Sequence, residues 1–179
     1  MSSQERSPGK PATFEIKGKK AERTGKLTPQ DSIPIVFLPA YTNERLQARA
    51  DSLMKTREVH YYGKGFPVKF DLVKDGCLDR VNNTNIYRVR VKAEHAKGLQ
   101  FYFGKFHLTR RSKLFLYSYS REKMHGAYTS KNNLKIRAKP GAIEMSTVPL
   151  EGNDWILELN VPSNVPQGEL AIESVTHIF

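Results

Sequence analysis

The stretch from residue 155 to residue 161 reads Trp-Ile-Leu-Glu-Leu-Asn-Val, with a large apolar residue at every odd-numbered position. The odd-numbered residues from Trp155 to Val161 would line one face of a β-strand, with Glu158 and Asn160 on the other face. This alternation predicts a strand with one apolar face.

The same period of two recurs along the chain after residue 60. Further alternating runs lie at residues 66–72, 87–91, 99–103, 114–119, 127–129 and 169–175. Turn-forming Asn, Asp, Gly and Pro residues separate them. Several short alternating strands with regular turns predict a mainly β fold, an antiparallel β-sandwich of jelly-roll type.

One short amphipathic helix is predicted near the N-terminus, over residues 42–57. Apolar residues recur there at helical spacing from Leu46 to Met54, and Thr42 is placed as its N-cap. The apolar run 33–39 just before it contains Pro34, which predicts an edge strand or an extended segment.

The chain divides into two regions by composition. Residues 1–30 are polar, basic and rich in Ser, Gly and Pro, which predicts a basic, flexible N-terminal arm. Residues 31–179 are predicted to form one sandwich domain. The first residues lack the apolar core of a signal peptide, and no apolar run approaches the roughly 18 residues of a membrane-spanning helix.

The charge of the chain is strongly basic. Lys and Arg total 29 against 18 Asp and Glu, for a formal net charge of +11. Such a surface attracts nucleic acid, anionic polysaccharide, anionic lipid or an acidic protein, and the charge alone does not choose among them. A solvated basic face is favoured over a dedicated site.

No catalytic set, metal site or cofactor site is predicted. The five histidines share no His-x-x-x-His spacing, and no HExxH, GxSxG or phosphate-binding glycine loop occurs. The spacing of Asp71, Asp75 and Asp79 is not that of an EF-hand. Cys77, the single cysteine, has no partner for a disulfide or a CxxC zinc site, and we expect a partly buried apolar role for it.

Aromatic residues are interleaved with basic residues from Gln100 to Lys105 and from Lys113 to Arg121, which could form a stacking platform for nucleic acid or sugar. In a strand, however, one set of alternating aromatic residues normally faces the core. We expect Phe101 and Phe103 to face the core, and Tyr102, Tyr117 and Tyr119 to be the tyrosines that could be exposed.

Several motifs in a fixed order carry a resemblance to a known family. Four of them are Gly98-Leu-Gln-Phe-Tyr-Phe103, Lys113-Leu-Phe-Leu-Tyr117, Gly126-Ala-Tyr-Thr-Ser-Lys-Asn-Asn133 and Gly168-Glu-Leu-Ala-Ile-Glu-Ser-Val-Thr-His177. In this order they resemble the N-terminal pro-region of lysyl-endopeptidase-type, trypsin-like serine proteases secreted by bacteria. The resemblance covers residues 30–178. One departure is the basic segment 110–112, where the family commonly has a Pro-Glu-Gly turn.

The resemblance implies a non-catalytic pro-domain or accessory domain of a secreted serine endopeptidase. Its expected work is to assist folding of the protease, to inhibit it, or both, and its expected location is secreted or at the cell surface. The family's catalytic domain begins shortly after the histidine that matches His177, so every catalytic residue would lie outside this chain. Partner-contact candidates are Arg110, Arg111, Lys113 and Tyr119.

Two alternatives remain open from the residues. The first is a stand-alone cell-surface module that binds a glycan, a peptide or another protein. The second is nucleic-acid binding, which only the charge suggests and which is the least favoured of the three.

Overall fold

The structure is a computed structural model that describes residues 5–16, 27–55 and 61–179. Two sheets of mostly antiparallel strands pack face to face, with a single helix longer than four residues in the described ranges. The predicted mainly β, sandwich-like fold is confirmed, and the jelly-roll type stays a prediction.

The strands and helices have the following bounds. The strands are β1 (Ile35–Phe37), β2 (Gly63–Asp71), β3 (Cys77–Val81), β4 (Thr84–Lys92), β5 (Gly98–His107), β6 (Lys113–Ser118), β7 (Met124–Tyr128), β8 (Met145–Ser146), β9 (Leu150–Glu151), β10 (Asp154–Pro162) and β11 (Glu169–Ile178). The helices are α1 (Ala12–Glu15), α2 (Asn43–Met54) and α3 (Leu72–Asp75), with 3₁₀ turns at Gln30–Ser32 and Ser130–Asn132.

The two sheets have different strand orders. Sheet A runs β1-β4-β10-β6-β7, and β3 pairs with β4 beside β1. Sheet B runs β2-β11-β5-β8, and β9 also pairs with β5. Neighbouring strands are antiparallel except β1 and β4, which are parallel. The short strand β1 lies at the edge of sheet A, as the proline in the run 33–39 predicted.

The inward faces of both sheets build the main core. From sheet A it receives Trp155, Leu157 and Leu159, and from sheet B it receives Phe101 and Phe103, all of them buried. Alternate residues of β5 and β10 therefore face the core, as their period of two predicted. Strand β10, however, is buried on both faces from residue 155 to residue 161.

Helix α2 begins as its sequence predicted, but only part of its apolar stripe is buried, since Leu53 is exposed. The Thr42 hydroxyl accepts a hydrogen bond from the backbone N–H of Arg45 at 3.3 Å, which is an N-cap. Leu46 and Ala50 are buried. The helix ends at Met54, and residues 56 and 57 of the predicted helix lie outside the described residues.

Candidate functional site

The outer face of sheet A is covered by residues from the N-terminal part of the chain. Ser7 exchanges two backbone hydrogen bonds with Ala127, at 2.9 and 3.1 Å, along the free edge of β7. The helical turn α1 then lies against the sheet, where the Phe14 ring meets the Tyr117 ring edge-on with centroids 4.8 Å apart. Leu27 and Ile33 are buried against the same face.

A buried carboxylate lies under this covering segment. Glu158 of β10 is fully buried, and its Oε2 accepts hydrogen bonds from the hydroxyls of Thr13 (2.6 Å) and Tyr117 (2.7 Å). Its Oε1 accepts from the Thr13 backbone N–H and from the Asn160 side chain. Burial, and secondarily the Glu158 charge, raises the pKa of the Tyr117 hydroxyl, which therefore remains a donor.

A buried guanidinium lies directly opposite that carboxylate. Arg88 of β4 is paired in register with Glu158, and its Nη2 donates to Asp79 (2.9 Å) and to the carbonyl of Thr28 (2.7 Å). Thr28 donates in turn to Asp79 from its backbone and its hydroxyl. Burial opposes the charged form of Arg88, but the hydrogen bond to Asp79 and the negative charge of Glu158 favour it, and the net effect raises the pKa of Arg88.

These contacts change the interpretation of the N-terminal arm. The sequence predicted a flexible arm over residues 1–30, whereas residues 5–16 and 27–30 lie against sheet A and supply hydrogen bonds to its buried polar groups. Residues 1–4 and 17–26 lie outside the described residues. On an uncovered sheet face, Glu158 and Arg88 would need water molecules as hydrogen-bond partners. The N-terminal residues dock because they supply these hydrogen bonds in place of water.

A second polar cluster lies at the edge of the same covering segment. His125 is buried, accepts a hydrogen bond from Arg6 on Nδ1 (3.2 Å) and meets the Tyr128 hydroxyl through Nε2 (2.5 Å). Because a guanidinium only donates, Nε2 carries the ring proton and donates to Tyr128. Burial and the Arg6 charge lower the pKa of His125 to about 4, and burial raises the pKa of Tyr128 to about 12.

The cysteine and the acidic residues take structural places. Cys77 is half-buried beside the Ile33 cluster, as predicted, and burial is the main cause that raises the pKa of its thiol. Asp71 accepts hydrogen bonds at the start of α3, and Asp79 pairs with Arg88. Within residues 5–16, 27–55 and 61–179, no three His, Cys, Asp or Glu side chains are grouped as a metal site would need.

The predicted partner-contact residues separate into two places. Arg110 and Arg111 are exposed in the turn between β5 and β6, and Lys113 begins β6 next to Gly9. Tyr119 follows the far end of β6, roughly 20 Å away at strand spacing, with the Arg90 guanidinium 3.7 Å from its ring centre. The structure thus groups three of the four residues and not Tyr119.

Of the three tyrosines that could be exposed, two are partly accessible and one is not. Tyr102 and Tyr119 are half-buried, but Tyr117 is fully buried because the N-terminal segment covers it. Period-two alternation located Tyr117 on the face away from the main core, and no local signal indicated that a distant segment would cover that face.

The outer face of sheet B differs from that of sheet A in its exposure. Its central side chains are half-buried rather than buried: Gln100, Tyr102, Ser174 and Thr176. Tyr102 lies between Ser174 and Ser146 in the strand register, and the exposed Tyr62 donates to the Gln100 side chain at 3.2 Å. An aromatic ring therefore stands among hydroxyl and amide groups on an accessible sheet. Only Tyr102 of this set was singled out by the sequence.

None of the helices in the described ranges is both long enough and apolar enough to cross a membrane. Comparison with protein-family models, with curated proteins and with solved structures found no match for this chain.

Proposed function

We propose that this chain is a non-catalytic domain that binds a trypsin-like serine endopeptidase and assists its folding, inhibits it, or both. The observation that carries the proposal is the ordered set of motifs that resembles the pro-regions of such proteases. Those motifs fall on β5, β6, β7 and β11, which belong to both sheets of one sandwich. The residues that carry the resemblance therefore lie in both sheets of the folded domain and are not confined to one local segment. A secreted or cell-surface location belongs to the same proposal.

The outer face of sheet B is the docking surface we favour. The outer face of sheet A is already covered by the N-terminal segment, whereas Tyr102 and its neighbours on sheet B are accessible. Tyrosine is enriched in protein interfaces because it adds apolar area together with a hydrogen-bonding hydroxyl. Binding of the folded protease there would stabilise it by mass action, and more strongly if the two were tethered.

An inhibition assay tests the proposal. The folded domain is titrated into a lysine-specific and an arginine-specific trypsin-like protease from the same source, and residual peptidase activity is measured. We expect saturable inhibition that Tyr102→Arg weakens at least tenfold. Phe37→Arg is the matched control, since Phe37 is 62% exposed at the edge of sheet A. Absence of inhibition by a domain shown to be folded would refute the proposal.

A second candidate is a stand-alone surface module that binds a glycan. The observation in its favour is the Tyr102 ring flanked by Ser174 and Ser146, since a ring stacks on a sugar face while hydroxyl groups bond to its hydroxyls. Glycan binding that Tyr102→Ala abolishes, together with no inhibition of either protease, would select this function.

A further inference from the structure

One end of the sandwich concentrates positive charge. Residues 105–113 and 131–139 together contain eight Lys or Arg and no Asp or Glu. The two segments lie side by side because the Asn133 side chain accepts from the backbone N–H of Leu108 and donates to its carbonyl, each at 2.8 Å. Two basic segments that are distant in sequence are therefore held at the same end of the sandwich.

A second anchor holds the loop that follows. Arg137 donates to Glu144 (3.1 Å) and to Glu169 (2.9 Å), and Glu144 accepts from the backbone N–H of Phe106 (2.7 Å). Glu169 is paired in register with His107. Residues 134–136 thus lie between two anchored residues, Asn133 and Arg137, at the end of the sandwich where the β5–β6 turn lies.

Most of the cations at this end are available for a ligand. Arg110, Arg111, Lys131 and Lys135 are exposed, and none of them takes part in an ion pair with the described residues. Arg137 is different, because its charge is balanced by two carboxylates. We name the four cations, with Leu134 and Ile136 between them, the basic tip.

Aliphatic side chains project from the same loop. Ile136 is 86% exposed, more than any other large apolar side chain in the described ranges, and Leu134 is 37% exposed. Lys135 separates the two. Single exposed aliphatic residues are ordinary on protein surfaces, but a protruding isoleucine in a loop that also carries the unpaired, exposed Lys131 and Lys135 is an amphipathic arrangement.

We propose that the basic tip binds the surface of an anionic lipid membrane, with the four cations against the headgroup phosphates and Ile136 inserted among the acyl chains. A headgroup layer offers negative charge and an apolar phase within one small footprint. An anionic polysaccharide would engage the cations and leave Ile136 in water. This inference does not depend on the proposed protease.

Arg111 allows a test that spares the fold. Its φ is +64°, in the left-handed region that glycine adopts more readily than arginine. Arg111→Gly therefore removes one charge of the tip and relieves the backbone, so its melting temperature should equal or exceed that of the parent.

The experiment is co-sedimentation of the purified domain with vesicles of phosphatidylcholine alone and of phosphatidylcholine mixed with phosphatidylglycerol. We expect binding only to the anionic vesicles, weakened by salt. Arg111→Gly should lower the partition coefficient roughly fivefold, since that is the contribution of one cation near an anionic leaflet. Ile136→Ser should lower it comparably, because insertion is lost. The matched controls are Lys97→Gln and Phe37→Ser, an exposed cation and an exposed apolar residue outside the tip.

Two results would overturn the proposal. One is failure of the folded parent to bind anionic vesicles. The other is that the domain binds both vesicles and heparin, that Arg111→Gly weakens both equally, and that Ile136→Ser changes neither. That result would identify a site for anionic polymers instead.

Discussion

Replacing Thr13 by valine tests whether the N-terminal segment holds the buried carboxylate of sheet A. The substitution keeps the shape of the side chain and removes only the hydroxyl that donates to Glu158 at 2.6 Å. Both side chains are fully buried, so water does not take the place of the lost donor.

The magnitude follows from the kind of hydrogen bond. A bond to a charged group contributes roughly 1.5–3 kcal/mol, and valine leaves no cavity, so we expect a loss of about 2 kcal/mol in the free energy of unfolding. Three other donors remain on the carboxylate, from Tyr117, Asn160 and the Thr13 backbone. For a chain of this size the melting temperature should fall by about 4–8 °C.

The assay is urea unfolding followed by the fluorescence of Trp155, the single tryptophan, which is buried in the main core. Thr176→Val is the matched control, because Thr176 is half-buried on the outer face of sheet B, and it should change stability by less than about 0.5 kcal/mol. If Thr13→Val has as little effect as the control at an unchanged m-value, the segment does not dock as described.

Three further predictions concern charge, pH and backbone conformation. Asp79→Ala should cost about 3–5 kcal/mol, because it leaves a buried guanidinium unpaired, whereas Glu173→Ala, from an exposed pair, should cost less than about 1 kcal/mol in the same urea assay. Stability should fall as the pH drops from about 6.5 to about 4, because His125 takes up its proton at a higher pH in the unfolded chain than in the folded chain. His125→Gln should flatten this part of a plot of melting temperature against pH. An unchanged slope would contradict the lowered pKa of folded His125. Gly168→Ala should destabilise more than Gly141→Ala, since both have positive φ but only at Gly168 would an added methyl collide with a backbone carbonyl; equal melting temperatures would exclude that collision.

The candidate docking residues show how far local sequence reasoning reaches. Of the four partner-contact candidates, Arg110 and Arg111 are exposed, whereas Lys113 and Tyr119 are half-buried. Alternation predicted that Tyr102 would face away from Phe101 and Phe103, which is also correct. Alternation along a strand does not show which loop lies beside which end of that strand. The separation of Tyr119 from the arginines, and the hydrogen bonds that hold Asn133 against Leu108, are therefore seen only in the folded chain.

Local sequence patterns predicted the longer strands, the capped helix and the residues that share each face, because these depend on neighbours two to four positions apart. The strands β3, β8 and β9 were not predicted. What covers each face is seen only in the folded chain. Glu158 stands on the polar side of an alternating strand, as any solvent-facing residue would, yet it is buried by Thr13, which is 145 positions away. A period of two shows which face of the sheet a side chain lies on. Whether that side chain is buried depends on which distant segment packs over the face, and the local pattern does not contain that information.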